Sequence, residues 1–464
     1  MSSELAAFRL GDVRGVYPTD IDELFARGFA HAFVERFALS GAVAVGRDMR
    51  ESSSTLQAAL IEGFRESGID VVDLGFCTTE LGYFASTRGR FAAAVVVTAS
   101  HNSAPYNGFK CVLTDGRAVT FETGLNDVRR LMLKGFRRDR ACGSLVSEDL
   151  HPEYVAFLEN HFDLGLLRAR SIALNGLNGT AATLADTLAK RFALPVTWFR
   201  QEPGPIPTEG ADPANPRLVA QMESFMTGGS YDLGVAWDGD CDRCVFYSGD
   251  GKLIPTYYIV GLLAETFLEE NPGAAIVFDT KLEWNTLEII ERLGGVAVRS
   301  ETGHAFMQRH MRNNAAVYGG ELSSHHYFGD FFGCDSGMFA WLKLIEVLSR
   351  SGQTIGELVA DRRARFCCTP EISIALSDVD AAFAAIDAHY APRAKRAVFF
   401  DGPSYEFERW RFSLRRSKTE PLVRVNLESR AQPDELLDEA RALFGQLVPW
   451  LEADSMWESR LFIQ

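Results

Sequence analysis

The chain has 464 residues, which is too long for a single hydrophobic core, so several domains are expected. Its net charge of −15 disfavours general binding to nucleic acid or to an acidic membrane surface. The sequence has no apolar run of membrane-spanning length, its start lacks the pattern of a secretory signal, and its eight cysteines are scattered. We therefore expect a soluble protein of the reducing cytoplasm, with no nucleic-acid or membrane partner.

Apolar runs alternate with helical segments through the first 150 residues. The pattern predicts strands at 42–45, 69–74, 91–97 and 109–113 and a helix over 56–64. Phe8–Gly15 is predicted to be a loop with two arginines, and Tyr106–Gly108 a turn. Strands that alternate with helices favour a mainly parallel α/β sheet.

The same alternation continues towards the C-terminus. It predicts strands at 171–174, 231–237, 274–278, 296–299 and 315–318 and helices at 151–161 and 181–192. The segment from Glu202 to Pro216 contains five prolines and is predicted to be an irregular loop. We predict three similar mixed α/β domains and a smaller α+β C-terminal domain. The predicted boundaries are 1–150, 151–252, 253–368 and 369–464.

A polar loop, Thr98–Asn102, follows directly on the predicted strand 91–97. Ligands of open α/β sheets bind beyond the carboxyl ends of the strands, so Ser100 would face a cleft. Serine alone is a weak nucleophile, and the Gly-x-Ser-x-Gly turn of hydrolases is missing here. The Ser100 hydroxyl could instead carry a phosphate and pass it on, with His101 and Lys110 as candidates for proton transfer.

Three aspartates alternate directly after the predicted strand 231–237. In an extended backbone this spacing places the carboxylates of Asp238, Asp240 and Asp242 on one side, where they would repel one another without a cation. The loop is not an EF-hand, and Mg²⁺ is the favoured ion because phosphate chemistry commonly uses it. Cys241 and Cys244 have no second cysteine pair nearby and are predicted to be packing residues.

Two further polar segments are candidates for binding a substrate. Glu321, Ser323 and His325 alternate behind two glycines and offer donors and acceptors that suit sugar hydroxyls. A basic run suits a phosphate, although a solvated charged surface is nearly as probable for it alone. This run consists of Arg415, Arg416, Ser417, Lys418 and Thr419. Lys281 and His304, each taken alone, are more often structural.

Together these motifs resemble the α-D-phosphohexomutase superfamily, and specifically its bacterial phosphomannomutases. Thr98–Asn102 matches the family's Thr-Ala-Ser-His-Asn-Pro, and Asp238–Arg243 matches its Asp-Gly-Asp-x-Asp-Arg. Gly320–Phe328 is similar to the family's sugar loop, and Arg415–Pro421 resembles its phosphate loop. The matches run in family order. Gly11, Ser103, Cys241 and Lys418 differ from the family's usual tyrosine, proline, phenylalanine and asparagine, and none of them removes a reacting group.

The resemblance implies four domains around a central cleft, each supplying one loop. It implies a phosphomannomutase, an isomerase that converts mannose 6-phosphate and mannose 1-phosphate into each other and so supplies precursors of GDP-mannose. Ser100 would be a phosphoserine, and hexose 1,6-bisphosphate would be the intermediate and activator. Phosphoglucomutase and phosphoglucosamine mutase are alternatives within the superfamily. A non-catalytic sugar-phosphate sensor is disfavoured because the serine and aspartates are kept, and the chain would be a monomer or a homodimer.

The resemblance also implies a role for each matching residue. The catalytic residues would be Ser100, His101, Lys110, Arg14, Arg243 and His304. Mg²⁺ would be held by Asp238, Asp240, Asp242 and Ser100. The hexose phosphate would be bound by Lys281, Thr302, Gly303, Glu321, Ser323, His325, Arg415, Ser417, Lys418, Thr419 and Arg424.

Overall fold

The computed structural model describes residues 6–135, 141–162, 170–417, 422–430, 432–452, 457–458 and 461–464. Contacts between Cα atoms divide the chain into two compact units. The first unit comprises Met1–Ile254, Met311–Tyr318 and Ser323–Ile355, and the second comprises Pro255–His310, Gly319–Leu322 and Gly356–Gln464. The division into four domains remains a prediction.

The N-terminal sheet of the first unit is mixed, with the strand order β1-β5-β4-β2-β3-β7 and β6 beside β5. Its strands are β1 (Val13–Val16), β2 (Ala42–Arg47), β3 (Val71–Phe76), β4 (Phe91–Val97), β5 (Tyr106–Leu113), β6 (Arg117–Ala118) and β7 (Leu145–Ser147). Strand β2 is parallel to β3 and β4, whereas β5 is antiparallel to both β4 and β1. The predicted turn at Tyr106–Gly108 and the predicted loop around Arg14 are therefore wrong, because both segments are strand and pair with each other.

Helices cover this sheet with apolar side chains. They are α1 (Glu23–Phe37), α2 (Ser53–Glu66), α3 (Thr79–Ser86) and α4 (Asn126–Met132). Helix α1 begins at the N-cap Asp22, whose side chain accepts a hydrogen bond from the Phe25 amide. Phe29 of α1 and Leu60 of α2 are fully buried with strand residues such as Val95 in one hydrophobic core. The carboxyl ends of the parallel strands β2 and β4 lie at one edge, so the loops that follow them are neighbours.

A second sheet of the first unit has the strand order β12-β11-β10-β8-β9. Its strands are β8 (Ile172–Asn175), β9 (Val196–Arg200), β10 (Leu233–Trp237), β11 (Cys244–Ser248) and β12 (Leu253–Ile254), and its helices are α5 (His151–His161), α6 (Ala181–Arg191) and α7 (Pro216–Thr227). Strand β10 is parallel to β8 and antiparallel to β11, with Trp237 opposite Cys244. The aspartate loop, from Asp238 to Arg243, thus connects the two strands of a β-hairpin. Cys244 begins β11 and Cys241 is buried, as predicted for packing residues.

The first unit also contains a short antiparallel pair and a long buried helix. These are β16 (His326–Phe328), β17 (Cys334–Asp335) and α11 (Gly337–Ser351). An isolated bridge joins Arg243 to His325 and brings this segment beside the aspartate loop. A division between the units falls after Tyr318, within strand β15 (Tyr318–Gly320), which ends two residues beyond the predicted strand 315–318.

The second unit contains a parallel strand pair and an antiparallel sheet. The first part comprises α8 (Thr256–Glu270), β13 (Ala275–Asp279), α9 (Trp284–Arg292), β14 (Val296–Ser300), α10 (His304–Asn313) and α12 (Ile355–Arg365). The antiparallel sheet comprises β18 (Cys367–Cys368), β19 (Ile372–Ile374), β20 (Arg396–Phe399), β21 (Pro403–Glu406), β22 (Trp410–Arg416) and β23 (Val423–Ser429), with α13 (Val379–Tyr390) and α14 (Pro433–Leu447). The predicted α+β character of the C-terminal region is confirmed.

All eight cysteines are unpaired. Among the described residues, no helix combines the length and the apolar character that a membrane span requires.

Candidate active site

Ser100 lies in a constrained loop directly after β4. Its side chain is buried, and its backbone has a left-handed φ of 50°, which is uncommon for a residue other than glycine and concentrates at functional sites. The Ser100 amide donates to Thr98 Oγ1 at 2.9 Å, and Ser100 Oγ donates to Asp238 Oδ2 at 2.8 Å. The serine hydroxyl is therefore fixed against the first carboxylate of the aspartate loop.

The side chain of Arg50 fixes the backbone of the serine loop. Its buried guanidinium donates to four carbonyl oxygens, those of Ser100, Asn102, Ser103 and Tyr106, at 2.7–2.9 Å. Asp48 accepts a further bond from Arg50 Nε at 3.1 Å. The sequence reasoning missed Arg50. Its position after β2, at the same sheet edge as the serine loop, was the available signal.

The three aspartates form a buried cluster with metal-ligand geometry. Asp238, Asp240 and Asp242 each offer an oxygen, and these oxygens lie within 4.8 Å of one another. Asp240 Oδ1 is buried and has no hydrogen-bond partner among the described residues. Burial, and then repulsion by Asp242 and Asp240, holds the pKa of Asp238 well above its usual range. The cluster fits a divalent cation, which would relieve this repulsion.

Lys110 supplies a positive charge to the same cluster from β5. Its Nζ donates to Asp240 Oδ2 at 2.7 Å and also to a carboxylate oxygen of Asp242. Burial alone would lower the pKa of Lys110, but the charges of Asp240 and Asp242 outweigh burial and raise it. Lys110 is therefore held as an ammonium in this arrangement, where it donates hydrogen bonds and cannot accept a proton.

Arg243 and His101 lie beside Ser100. The Arg243 amide donates to Asp238 Oδ1 at 3.1 Å, and its guanidinium donates to His101 Nδ1 at 2.9 Å. Burial, reinforced by Arg243 and Arg14, holds the pKa of His101 well below its usual range. His101 is a neutral imidazole at pH 7. Arg14 reaches the same loop through a 2.7 Å bond to Asn102 Oδ1.

His325 lies beside Asp242 of the aspartate loop. Its Nε2 is 3.5 Å from Asp242 Oδ1 and 3.9 Å from Asp335 Oδ2. Ser323 Oγ is 2.9 Å from His325 Nδ1, which orients the ring. Burial and the charge of Asp242 raise the pKa of Asp335 to about 6. The structure thus places Ser323 and His325 with the predicted metal ligands in the first unit.

In the second unit, Glu321 is fixed by the turn that precedes α10. The Gly303 amide donates to Glu321 Oε1 at 2.7 Å, and Gly303 has a left-handed φ of 125°. The Thr302 amide donates to Asp401 Oδ2 at 2.9 Å, and His304 is the first residue of α10. Thr302, Gly303, His304 and Glu321 are therefore brought together.

Three predicted substrate-binding cations converge on Glu371, a residue that the sequence reasoning missed. Lys281, Arg415 and Arg424 approach its carboxylate at 3.9, 3.6 and 3.7 Å. Burial alone would raise the pKa of Glu371, but these three cations lower it. Ser417 ends the described part of this segment, and its amide donates to the Leu422 carbonyl at 2.7 Å. Lys418 and Thr419 lie outside the described residues.

These features define the class of protein first. A buried serine beside a metal-type carboxylate cluster, at the carboxyl edges of α/β sheets, is the arrangement of an α/β group-transfer enzyme. Sequence profiles of the phosphoglucomutase/phosphomannomutase alpha/beta/alpha domains I, II and III match residues 6–135, 152–251 and 255–366. The chain belongs to the phosphoglucomutase/phosphomannomutase family and is a mutase, an isomerase.

Individual relatives agree with this assignment. A phosphomannomutase of Escherichia coli is 40% identical over 443 residues, covering 92% of this chain and 96% of the relative. The phosphohexose mutases of Xanthomonas campestris pv. campestris are 38% identical over 431 residues, covering 92% and 95%. The crystal structure of a phosphoglucomutase/phosphomannomutase family protein from Burkholderia thailandensis has a TM-score of 0.86 and 28% identity, covering 97% of this chain and 99% of that one.

Proposed function

We propose that this chain interconverts mannose 6-phosphate and mannose 1-phosphate, with Ser100 as the phosphoryl carrier. The observation that carries the proposal is the 2.8 Å bond from Ser100 Oγ to Asp238 within a cluster that fits a divalent cation. Phosphorus bonds to the free sugar hydroxyl as its bond to Ser100 Oγ breaks, which gives a hexose 1,6-bisphosphate. The sugar hydroxyl loses its proton to a base of the site, and the released Ser100 Oγ takes up a proton. After the sugar turns around, the other phosphoryl group returns to Ser100.

The cation in this scheme is Mg²⁺, held by Asp238, Asp240, Asp242 and an oxygen at Ser100. Such a cation would neutralise the charge of the transferring phosphoryl group. The unpartnered Asp240 Oδ1 and the mutual repulsion of the carboxylates support this assignment. Lys110 and Arg243 would add positive charge around the same group, and Arg14 would hold the serine loop through Asn102.

Protonation states divide the proton-transfer candidates. Lys110 is held as an ammonium by its two carboxylate partners, so it would supply positive charge and hydrogen bonds and would not act as the base. His101 is neutral, and its Nδ1 already accepts a bond from Arg243. Because this nitrogen is occupied, we assign His101 to positioning Ser100 and not to proton transfer. His304 remains the candidate for the opposite orientation of the sugar.

The predicted sugar-binding residues offer donors and acceptors for sugar hydroxyls. Glu321 is held by Gly303 and flanked by Thr302, and its carboxylate would accept bonds from these hydroxyls. Ser323 and His325 are proposed for the same type of contact. The non-reacting phosphate would be bound by Lys281, Arg415, Ser417, Lys418, Thr419 and Arg424. The convergence of three of these cations on one carboxylate supports this role, because the same positive field suits a phosphate.

Mannose is the proposed sugar because relatives that are 40% and 39% identical to this chain are named phosphomannomutases. Glucose phosphates differ from mannose phosphates at a single hydroxyl, so discrimination between them rests on few contacts. A comparison of kcat/KM for mannose, glucose and glucosamine 1-phosphates decides the substrate. The eight unpaired cysteines support a cytoplasmic location.

Replacement of the carrier tests the mechanism. Ser100→Ala removes the oxygen that accepts the phosphoryl group, so we expect mutase activity to fall on the order of 10⁴-fold or more. Ser103→Ala is the matched control, since its exposed hydroxyl lies in the same loop. Radiolabelled phosphate from substrate should appear on serine in the control and not in Ser100→Ala. Near-normal turnover of Ser100→Ala would refute the proposal.

A further inference from the structure

A fully buried carboxylate, Glu80, lies behind the aspartate loop. Glu80 is the second residue of α3 and is not exposed at all. Its Oε2 accepts a hydrogen bond from Ser336 Oγ at 2.5 Å and a longer one from the Met338 amide at 3.4 Å. Burial of a carboxyl group is costly unless the group is hydrogen-bonded, and Ser336 and Met338 supply these bonds to Glu80.

The other oxygen of Glu80 faces the aspartate loop. Cys241 Sγ lies 3.9 Å from Glu80 Oε1, and Cys241 is the residue between Asp240 and Asp242. Cys241 has a left-handed φ of 70°, a conformation that persists only when surrounding contacts hold it. The Gly337 amide donates to the Cys241 carbonyl at 3.2 Å. The strained residue at the centre of the loop is therefore held from two sides.

Thr79, the neighbour of Glu80, contacts the loop one residue earlier. The Thr79 amide donates to the Asp240 carbonyl at 3.0 Å, and Thr79 Oγ1 donates to Asp240 Oδ2 at 2.6 Å. The first turn of α3 thus fixes both the backbone and one carboxylate oxygen of Asp240.

Ser336 connects Glu80 to the segment that carries His325. The Ser336 amide donates to the His326 carbonyl at 3.1 Å, and Ser336 Oγ caps α11 by accepting from the Phe339 amide at 2.9 Å. Ser336 directly follows Asp335, whose carboxylate lies 3.9 Å from His325. Glu80 therefore ties α3, the aspartate loop and the segment between His325 and α11 to one buried point.

We infer that Glu80 is a positioning residue that fixes the spacing between the aspartate loop and His325, and thereby sets the affinity of the cluster for its divalent cation. The inference rests on the proposed cation role of the aspartates. Glu80 makes no contact with Ser100 among the described residues, so it acts through Cys241 and Ser336. Burial raises the pKa of Glu80 to about 8 against the lowering effect of the Ser336 bond, which agrees with a dry, enclosed site.

Cation binding measured directly tests the inference. Glu80→Met keeps the volume of the side chain and removes both acceptor oxygens, whereas Glu80→Gln keeps an oxygen that can accept from Ser336. In calorimetric titrations with Mg²⁺ we expect Glu80→Met to raise the dissociation constant about tenfold, which corresponds to ~1.4 kcal/mol. Glu80→Gln should bind Mg²⁺ with the dissociation constant of the unaltered protein. The KM for the hexose phosphate should stay constant while kcat falls at limiting Mg²⁺. Ser86→Ala is the control, since Ser86 is buried in the same helix and bonds only to the Tyr83 carbonyl.

A purely structural role for Glu80 would give a different result. Glu80→Met would then lose thermal stability but bind Mg²⁺ as tightly as the unaltered protein, and that result overturns the inference. If Glu80→Met does not fold, Ser336→Ala decides the matter, because it removes the bond to Glu80 Oε2 and leaves the proposed cation ligands intact. Unchanged Mg²⁺ affinity in that variant would also overturn the inference. Absence of Mg²⁺ binding by the unaltered protein would instead contradict the proposed function.

Discussion

At the scale of single residues, the Lys110 ammonium offsets part of the repulsion within the cluster of buried carboxylates. Its ammonium contacts both Asp240 and Asp242 in a region from which water is excluded. Opposite charges in a low dielectric attract strongly, but the loss of either partner leaves the other charge buried and uncompensated. Lys110 and a divalent cation would therefore contribute to the same electrostatic balance.

Replacement of Lys110 should make the stability of the protein depend on the cation. We expect Lys110→Met to lower the free energy of unfolding by ~3–5 kcal/mol in the presence of a chelator, and Mg²⁺ to restore part of this loss. Urea unfolding with and without Mg²⁺ measures both quantities. Lys343→Met is the control, because Lys343 is a similarly buried lysine paired with Glu346 on α11. Equal rescue of both variants by Mg²⁺ would contradict the prediction.

At the scale of elements, the serine loop is held by a side chain from another loop. Arg50 satisfies four carbonyls of the segment from Ser100 to Tyr106, which leads from the end of β4 to the first residue of β5. Only a planar guanidinium with several donors can bind so many acceptors at once, since a lysine offers a single nitrogen. The left-handed conformation of Ser100 is maintained by this network.

Loss of Arg50 should therefore loosen the loop and slow catalysis. We expect Arg50→Met to raise amide hydrogen exchange across residues 98–107 and to lower kcat at least tenfold, because the serine hydroxyl would no longer be held against Asp238. Exchange measured by mass spectrometry and steady-state kinetics provide the two readouts. Arg47→Met serves as the matched control, since Arg47 donates only to the Asp48 carbonyl. Unchanged exchange in the Arg50 variant would refute this account of the loop.

At the scale of the whole molecule, the net charge is negative, whereas the predicted substrate-binding residues include a cluster of cations. The chain carries a net charge of −15, yet Lys281, Arg415 and Arg424 gather around Glu371. Ions in solution screen the distant charges within about 8 Å at physiological ionic strength, while contacts at hydrogen-bond distance persist. The net negative charge is therefore compatible with the proposed binding of an anionic substrate at these cations.

The acid stability of the folded chain depends on buried neutral groups such as His326. Burial lowers the pKa of His326 from 6.5 to about 3. Between these two values the unfolded chain binds a proton that the folded chain does not. The stability due to this group is complete above pH 6.5 and falls as the pH drops, by roughly 1.4 kcal/mol per pH unit.

Denaturant unfolding at pH values from 7 to 4 tests this expectation. His326→Gln cannot be protonated, so its stability should decline less steeply with falling pH than that of the unaltered protein. His151→Gln is the control, because His151 is only part-buried beside the exposed carboxylate of Asp149. Identical pH slopes for the unaltered protein and His326→Gln would show that His326 does not set the acid limit.

Local patterns predicted many elements because each depends on neighbouring residues. The strand Phe91–Val97 and the helix His151–His161 have the bounds that the sequence predicts. The turn predicted at Tyr106–Gly108 is wrong because glycine occurs both in turns and in strands where another backbone approaches closely. A Cβ at Gly108 would lie 1.9 Å from the Val13 carbonyl oxygen, so this glycine permits β1 to approach β5. No local pattern reports that a distant strand will pair there.

The sequence by itself determined the mixed α/β class, the family, and the loops that carry Ser100 and the three aspartates, because strand ends and alternating carboxylates are visible along the chain. The tertiary structure decided which side chains meet. Ser100 and Asp238 are 138 residues apart and 2.8 Å from each other. Arg50, Glu80 and Glu371 could be recognised only from their contacts in the folded structure. A buried charged residue leaves no periodic pattern in the sequence, and its role depends on the groups that the fold places around it.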